Sequence, residues 1–211
     1  SALSGSFSDP VYTFNDSKTG NPNPLTTSGQ PPLLRPADQN GLSAIAFFSS
    51  GSPANYPSGG STAVSYPYTI AAVLKITSGS SGSKTIMGPS SSGGLQFTIG
   101  DTAGVCTMVL NAGQVAFIGS ATTTFSENSY HLLVCTITST TYAFYLDGVA
   151  AGSGTHSVSL GGGGTFEMGA EVSNSEVMDG TIGEVQIYSS VLGSTDLSGL
   201  HTYIADKWAT P

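Results

Sequence analysis

Breaking a glycosidic bond with retention needs two carboxyl groups about 5–5.5 Å apart. This chain has few carboxylates to offer. Glu167 and Glu171 stand four residues apart and can share one strand face, but the residue between them on that face is Gly169. Glu176 and Asp179 fall in a loop. Nucleophilic acyl transfer needs a hydroxyl or thiol activated by a neighbouring base. The three histidines are His131 at a strand start, His156 in a glycine-rich turn and His201 on a terminal helix, and the sequence holds no Gly-x-Ser-x-Gly elbow. Solvated or structural roles account for all three. A hard cation such as calcium takes carboxylate and carbonyl oxygens. Asp101 and Asp179 are the candidates, with Asn111, Asp147 and Asn174 of suitable type. Asp147 and Asp179 each precede a glycine and Asp101 follows one, so turn roles explain them. The expectation is no catalytic residue, no metal and no cofactor.

Recognition of a sugar asks for less: an aromatic face for the apolar side of the ring, and amides or carboxylates for its hydroxyls. Tyr56, Tyr66 and Phe125 are the loop aromatics. The candidate binding set on the rim loops is Tyr56, Tyr66, Asp101, Asn111, Asn174 and Asp179. Tyr66 and Tyr68 flank Pro67, and a place at a sheet edge explains them equally well. Trp208, the single tryptophan, reads as an anchor between helix and sheet.

These residues need a scaffold, and the composition restricts it. Charged residues make up 9% of the 211 and glycine supplies 28, with Ser and Thr abundant, a profile poor for helices. The net charge is −8, and the five basic residues (Lys18, Arg35, Lys75, Lys84, Lys207) are scattered, so the counterion displacement that drives nucleic-acid binding has no patch to act from. No stretch approaches the ~18 apolar residues of a membrane helix. Cys106 and Cys135 both sit in strand-like runs; a disulfide and two buried thiols are both open readings.

Alternation sets the elements. Residues 1–40 carry Pro10, Pro22, Pro24, Pro31, Pro32 and Pro36 and read as an arm with a first edge strand near Val11–Phe14. The sandwich proper is expected over 41–211. Residues 41–48 form a strand and 49–66 a long loop rich in Ser, Gly and Pro. Tyr68–Thr77 is the clearest central strand, with Tyr68, Ile70, Ala72, Leu74 and Ile76 on one face. Further strands are expected at 85–88, 95–100, 105–110, 114–119, 130–138, 141–146, 149–152, 165–171 and 181–188. Asn111-Ala112-Gly113 is read as one tight turn and Asp147-Gly148 as another. Leu197, Leu200, Ile204 and Trp208 recur at helical spacing after Asp196, giving one short C-terminal helix.

Four segments then resemble a known group. They are Tyr68 to Lys75; Tyr130-His131-Leu132-Leu133-Val134, with Tyr where the group usually has Trp; Phe144-Tyr145-Leu146-Asp147-Gly148; and Asp179 to Tyr188, with its Ile182-Gly183-Glu184 core. With Asn40-Gly41 upstream, the ordered set resembles the concanavalin A-like lectin/glucanase superfamily, in its laminin-G-like or pentraxin-like branch. The Tyr203-Ile204-Ala205-Asp206-Lys207-Trp208 ending is similar to lectin-like modules of bacteriophage and other virion surface proteins and of bacterial surface proteins. The resemblance implies an all-β, two-sheet antiparallel jelly-roll sandwich. It implies a non-catalytic module on a virion (capsid, fibre or tail) or outside the cell, which recognises surface glycans or other virion proteins in many copies or as a homo-oligomer. Two alternatives stand beside it: a purely structural capsid decoration protein without a ligand, and a glycoside hydrolase of the glucanase branch. Glucanases of the superfamily carry Glu-x-Asp-x-x-Glu on one strand, and this chain has no such run.

Overall fold

In the computed structural model the described residues are 13–14, 25–26, 32–47, 58–62, 66–77, 82–89, 94–102, 105–112, 116–160, 164–169 and 178–211. Among them the chain forms β1 (Thr13–Phe14), β2 (Leu25–Thr26), β3 (Leu33–Gln39), β4 (Leu42–Phe47), β5 (Ser58–Thr62), β6 (Tyr68–Ile76), β7 (Gly82–Pro89) and β8 (Leu95–Thr102). There follow β9 (Val105–Ala112), β10 (Ala116–Thr124), β11 (Tyr130–Ile137), β12 (Thr141–Leu146), β13 (Val149–Thr155), β14 (Gly164–Met168), β15 (Gly180–Tyr188) and the helix α1 (Ser194–Trp208). Two antiparallel sheets face each other as a jelly-roll sandwich. One has the order β1-β2-β5-β14-β7-β8-β9-β10 and the other β13-β12-β11-β6-β15-β4-β3. No described helix is long and apolar enough to cross a membrane.

The two faces of β6 separate as its alternation predicts. Tyr68, Ile70, Ala72, Leu74 and Ile76 enter the core between the sheets with Phe97, Met108, Leu133 and Phe144. Ala71 and Val73 point the other way, into a second core with Leu132, Val134, Leu200, Ile204 and Trp208. The helix therefore covers the outside of the seven-stranded sheet, which is why β6 and β11 are apolar on both faces rather than on one. Each of Leu200, Ile204 and Trp208 is buried, and full burial of a large apolar side chain contributes about 1.5–3 kcal/mol.

Three sequence expectations change. The run 49–66 is not wholly loop, because β5 lies inside it. A Ser-Gly-Gly-Ser-Thr strand has no apolar alternation to betray it; backbone pairing with β14 and β2 holds it in the sheet. The strand expected at 85–88 starts earlier, at Gly82, whose φ of 98° suits a residue without a Cβ. β9 and β10 pair as expected, but β9 runs on through Asn111 and Ala112, so Asn111 is a strand residue opposite Phe117 rather than part of a turn, and Gly113 lies outside the described residues. The register slips between Phe117 and Gly119, a bulge that places one extra residue, Ile118, on β10. In addition, Asn40 and Gly41, at φ 48° and 73°, make the two-residue turn that pairs Gln39 with Leu42, and Asp147 and Gly148 repeat it at 48° and 78°. Both cysteines are buried free thiols, and burial pushes the Cys135 thiol well above its ordinary pKa.

Candidate functional site

The rim-loop set does not assemble into one site. Tyr56 and Asn174 lie outside the described residues, as do Glu171, Glu176 and the side chain of Asp101, whose backbone belongs to β8 rather than to a loop. Asp179 precedes β15, and its carbonyl accepts the Thr77 amide at 3.3 Å. Tyr66 is half-buried: its hydroxyl donates to the Val158 carbonyl at 2.9 Å, its ring stacks 6.0 Å from Tyr68, and the His156 ring lies tilted against it at 5.4 Å. It is tied to the loop after β13, not presented to solvent. Among the described residues no three His, Cys, Asp or Glu side chains converge as metal ligands do.

The family-like motif residues turn out to bind one another. Glu184 Oε2 accepts from Lys207 Nζ at 2.7 Å and from Trp208 Nε1 at 2.8 Å, while Oε1 accepts from Gln186 at 2.7 Å. Burial opposes the charge on Glu184, but these donors win and hold its pKa below the ordinary value. Gly183 is glycine because a Cβ there would sit 2.5 Å from the Trp208 ring. Asn40 Nδ2 caps the far end of α1 on the carbonyls of Asp206 and Lys207, at 3.2 and 2.9 Å. Asp38 Oδ2 takes Lys75 Nζ and the Tyr130 hydroxyl, each at 2.7 Å, and against the burial penalty its pKa too is lowered.

One arrangement was not visible in the sequence. Ser126, His131 and Asp147 form a chain: His131 Nδ1 lies 2.6 Å from Asp147 Oδ2, and Nε2 lies 3.1 Å from Ser126 Oγ. It has the order of a hydrolytic triad but not its proton placement. Nε2 also lies 3.0 Å from the Ser126 carbonyl. Carboxylate and carbonyl can only accept, so both ring nitrogens donate and no lone pair is left to deprotonate the serine. Burial works against the imidazolium, yet Asp147 and the carbonyl outweigh it and raise the His131 pKa. Asp147 Oδ1 completes the tie by accepting the Leu132 amide at 2.8 Å. The unit is a clamp joining the turn before β11 to the β12–β13 hairpin.

What remains open is the outside of the eight-stranded sheet. Over β7 and β8 this face is covered: Thr85, Gln96 and Thr98 are buried. Over β10 it is more open: Phe117, Ser120 and Thr122 are exposed, while Thr107, Val109 and Asn111 on β9 are half-buried. Leu110 and Ala112 point into the core, so Asn111 between them points out. Its partner Phe117 is 62% exposed, and Gln96 lies across from Asn111 on the other side. The open end of this row is therefore the Asn111 amide beside the Phe117 ring, with Gln96 buried behind them. Ser120 and Thr122 follow on β10, with Thr122 Oγ1 3.2 Å from Thr107 Oγ1. The row can stack an apolar ring face on Phe117 and meet hydroxyls with Asn111.

The sequence profile of the Laminin_G_3 group, described as the concanavalin A-like lectin/glucanases superfamily, matches residues 48–198. The chain belongs to this superfamily. No curated protein shows significant sequence similarity to it. Among solved structures, the native heptameric SAP-like pentraxin of Limulus polyphemus matches with a TM-score of 0.61 at 16% identity, over 75% of this chain and 81% of that one. Domain 4 of an extracellular GH43 arabinanase from Geobacillus stearothermophilus, solved with arabinotriose, matches with a TM-score of 0.66 at 16% identity, over 87% and 90%. The binding domain of botulinum neurotoxin DC, solved with SialylT, matches with a TM-score of 0.61 at 12% identity. That match covers 92% of this chain and 51% of the toxin domain, so the superfamily member spans about half its length. At these identities the likeness is one of fold.

Proposed function

We propose that this superfamily member is a non-catalytic carbohydrate-recognition module. The observation that carries the reading is the strip of β9 and β10, where the exposed Phe117 ring stands in register with the half-buried Asn111. Two of the similar structures support it, since the arabinanase domain was solved with arabinotriose and the toxin domain with SialylT. The strip supplies a stacking face and amide hydrogen bonds from its own side chains, so the proposed binding needs no metal. We place the module on a virion or other extracellular surface in many copies, a reading supported by its charge-poor, hydroxyl-rich composition and by the resemblance of its helix to lectin-like virion modules. Multiplicity matters because weak single-site contacts gain strength when many copies engage at once.

A glycan array probed with the multivalent protein tests the proposal. Reproducible binding that persists in EDTA is expected, with no release of reducing sugar from bound polymers. An array without any signal contradicts it, as does polymer cleavage. If the array is blank and the protein occupies fixed lattice positions on particles, the decoration role replaces recognition.

A further inference from the structure

A second feature lies on the opposite side of the sandwich. Past the N-terminal end of α1, the outer face of the seven-stranded sheet carries a shallow groove of about 400 Å³. Thr136, Thr138, Thr141, Ser153 and Thr155 line it, and Val191 walls it from the connector between β15 and α1. Register explains the lining. Thr136 pairs with Ala143 and Ala143 with Ser153, while Thr141 pairs with Thr155, so the hydroxyl side chains of three neighbouring strands share one face around a small central residue. Strands about 4.8 Å apart, with same-face residues about 6.7 Å apart along each, set these groups on a grid. The grid is held rigidly. Thr138 Oγ1 accepts the Thr141 amide at 2.9 Å and meets Thr141 Oγ1 at 2.8 Å. The Val191 wall is pinned because Thr69 Oγ1 donates to the Ser190 carbonyl at 2.9 Å and accepts the Leu192 amide at 3.0 Å. Ser153 and Thr155 are exposed, and among the described residues their hydroxyls have no protein partner.

None of the ten lining residues carries a charge. A ligand bearing a carboxylate or sulfate would be partly desolvated there without a counter-charge, which is unfavourable. A neutral sugar suits it: threonine methyls and Val191 offer apolar contact, and the free hydroxyls both donate and accept. We infer that this groove is a second saccharide site, specific for neutral sugars and independent of the Phe117 strip. The inference rests on the carbohydrate-recognition reading but assigns a different surface. With sites on opposite faces, one module can hold two glycan chains.

The test uses the full chain carrying Phe117→Ala, with methyl-labelled Val and Thr observed by NMR during titration with arabinotriose, maltotriose and 3′-sialyllactose. Saturable shifts at Val191 and Thr155 are expected with a neutral trisaccharide and not from the sialylated one beyond its neutral portion. Ser153→Trp, on the exposed edge strand, should weaken this binding by about tenfold or more, and Ser153→Ala with Thr155→Val gives a milder variant whose methyl spectrum reports that the fold is intact. If in the wild-type protein the Thr107, Val109 and Thr122 methyls of the strip shift while the Val191 and Thr155 signals stay still, the second site is wrong and the recognition reading survives. If no saccharide moves either set, both fall.

Discussion

The outer faces of the two sheets are built from different chemistry. On the seven-stranded sheet, the face under α1 concentrates the charged partners: Glu184 with Lys207 and Trp208, and Asp38 with Lys75 and Tyr130. On the eight-stranded sheet, the strip over β9 and β10 presents Phe117, Asn111, Ser120 and Thr122, neutral groups directed at solvent. In a chain with so few charges, those under the helix hold it in place, and neutral side chains are left to meet a partner. A motif can therefore mark the family while marking no binding site, and the Ile182-Gly183-Glu184 run is such a case. Gly183 makes room for Trp208 and Glu184 accepts from it.

The contrast can be broken most forcefully at Trp208. Trp208→Ala removes a buried ring at the centre of the second core and should lower stability by about 3–5 kcal/mol in chemical denaturation. Phe117→Ala, on the strip, should change it by no more than about 0.5 kcal/mol. Equal losses would mean that the strip is as structural as the helix face.

A smaller effect is expected at Glu184. Glu184→Gln weakens the three charge-assisted bonds from Lys207, Trp208 and Gln186 in a partly exposed site, and a loss of about 1–2 kcal/mol follows after solvent screening. The same clamp sets the acid limb. The folded pKa values of Asp38 and Glu184 are depressed, so their contribution is present above the unfolded values of about 3.9 and 4.3 and is lost as pH falls through the lower folded ones. A denaturation series from pH 6 down to 2 should show this fall, reduced in Glu184→Gln.

The smallest effect has the opposite sign with pH. The His131 pKa is raised in the fold, so its contribution is complete below the unfolded value of about 6.5 and declines as pH rises through the folded one. His131→Gln should flatten the stability profile above pH 6.5. NMR titration of the imidazole gives the direct reading: a folded pKa at or below 6.5 would refute the doubly donating clamp.

Much of the fold was readable from the residues because alternation reports burial directly. The two faces of Tyr68–Ile76 became the two cores, and Leu197, Leu200, Ile204 and Trp208 became the docking stripe of α1. The site was less readable, for two physical reasons. Asn-Ala-Gly has the composition of a turn, yet pairing with β8 and β10 extends the strand through Asn111. Phe117 in an alternating strand reads as core, but the extra residue at Ile118 shifts the phase, burying Ile118 and turning Phe117 outward. Bulges leave little trace in composition. The His131–Asp147 contact was hidden differently, since both residues already had local explanations and only the β11–β12 pairing brings them together.

The central claim is that the β9–β10 strip recognises sugar through Phe117. The most direct test is the affinity of wild-type and Phe117→Ala proteins for a glycan identified on the array, measured at equal folded fraction. A loss of about tenfold or more at the strip with unchanged stability is predicted; unchanged affinity there would contradict the account.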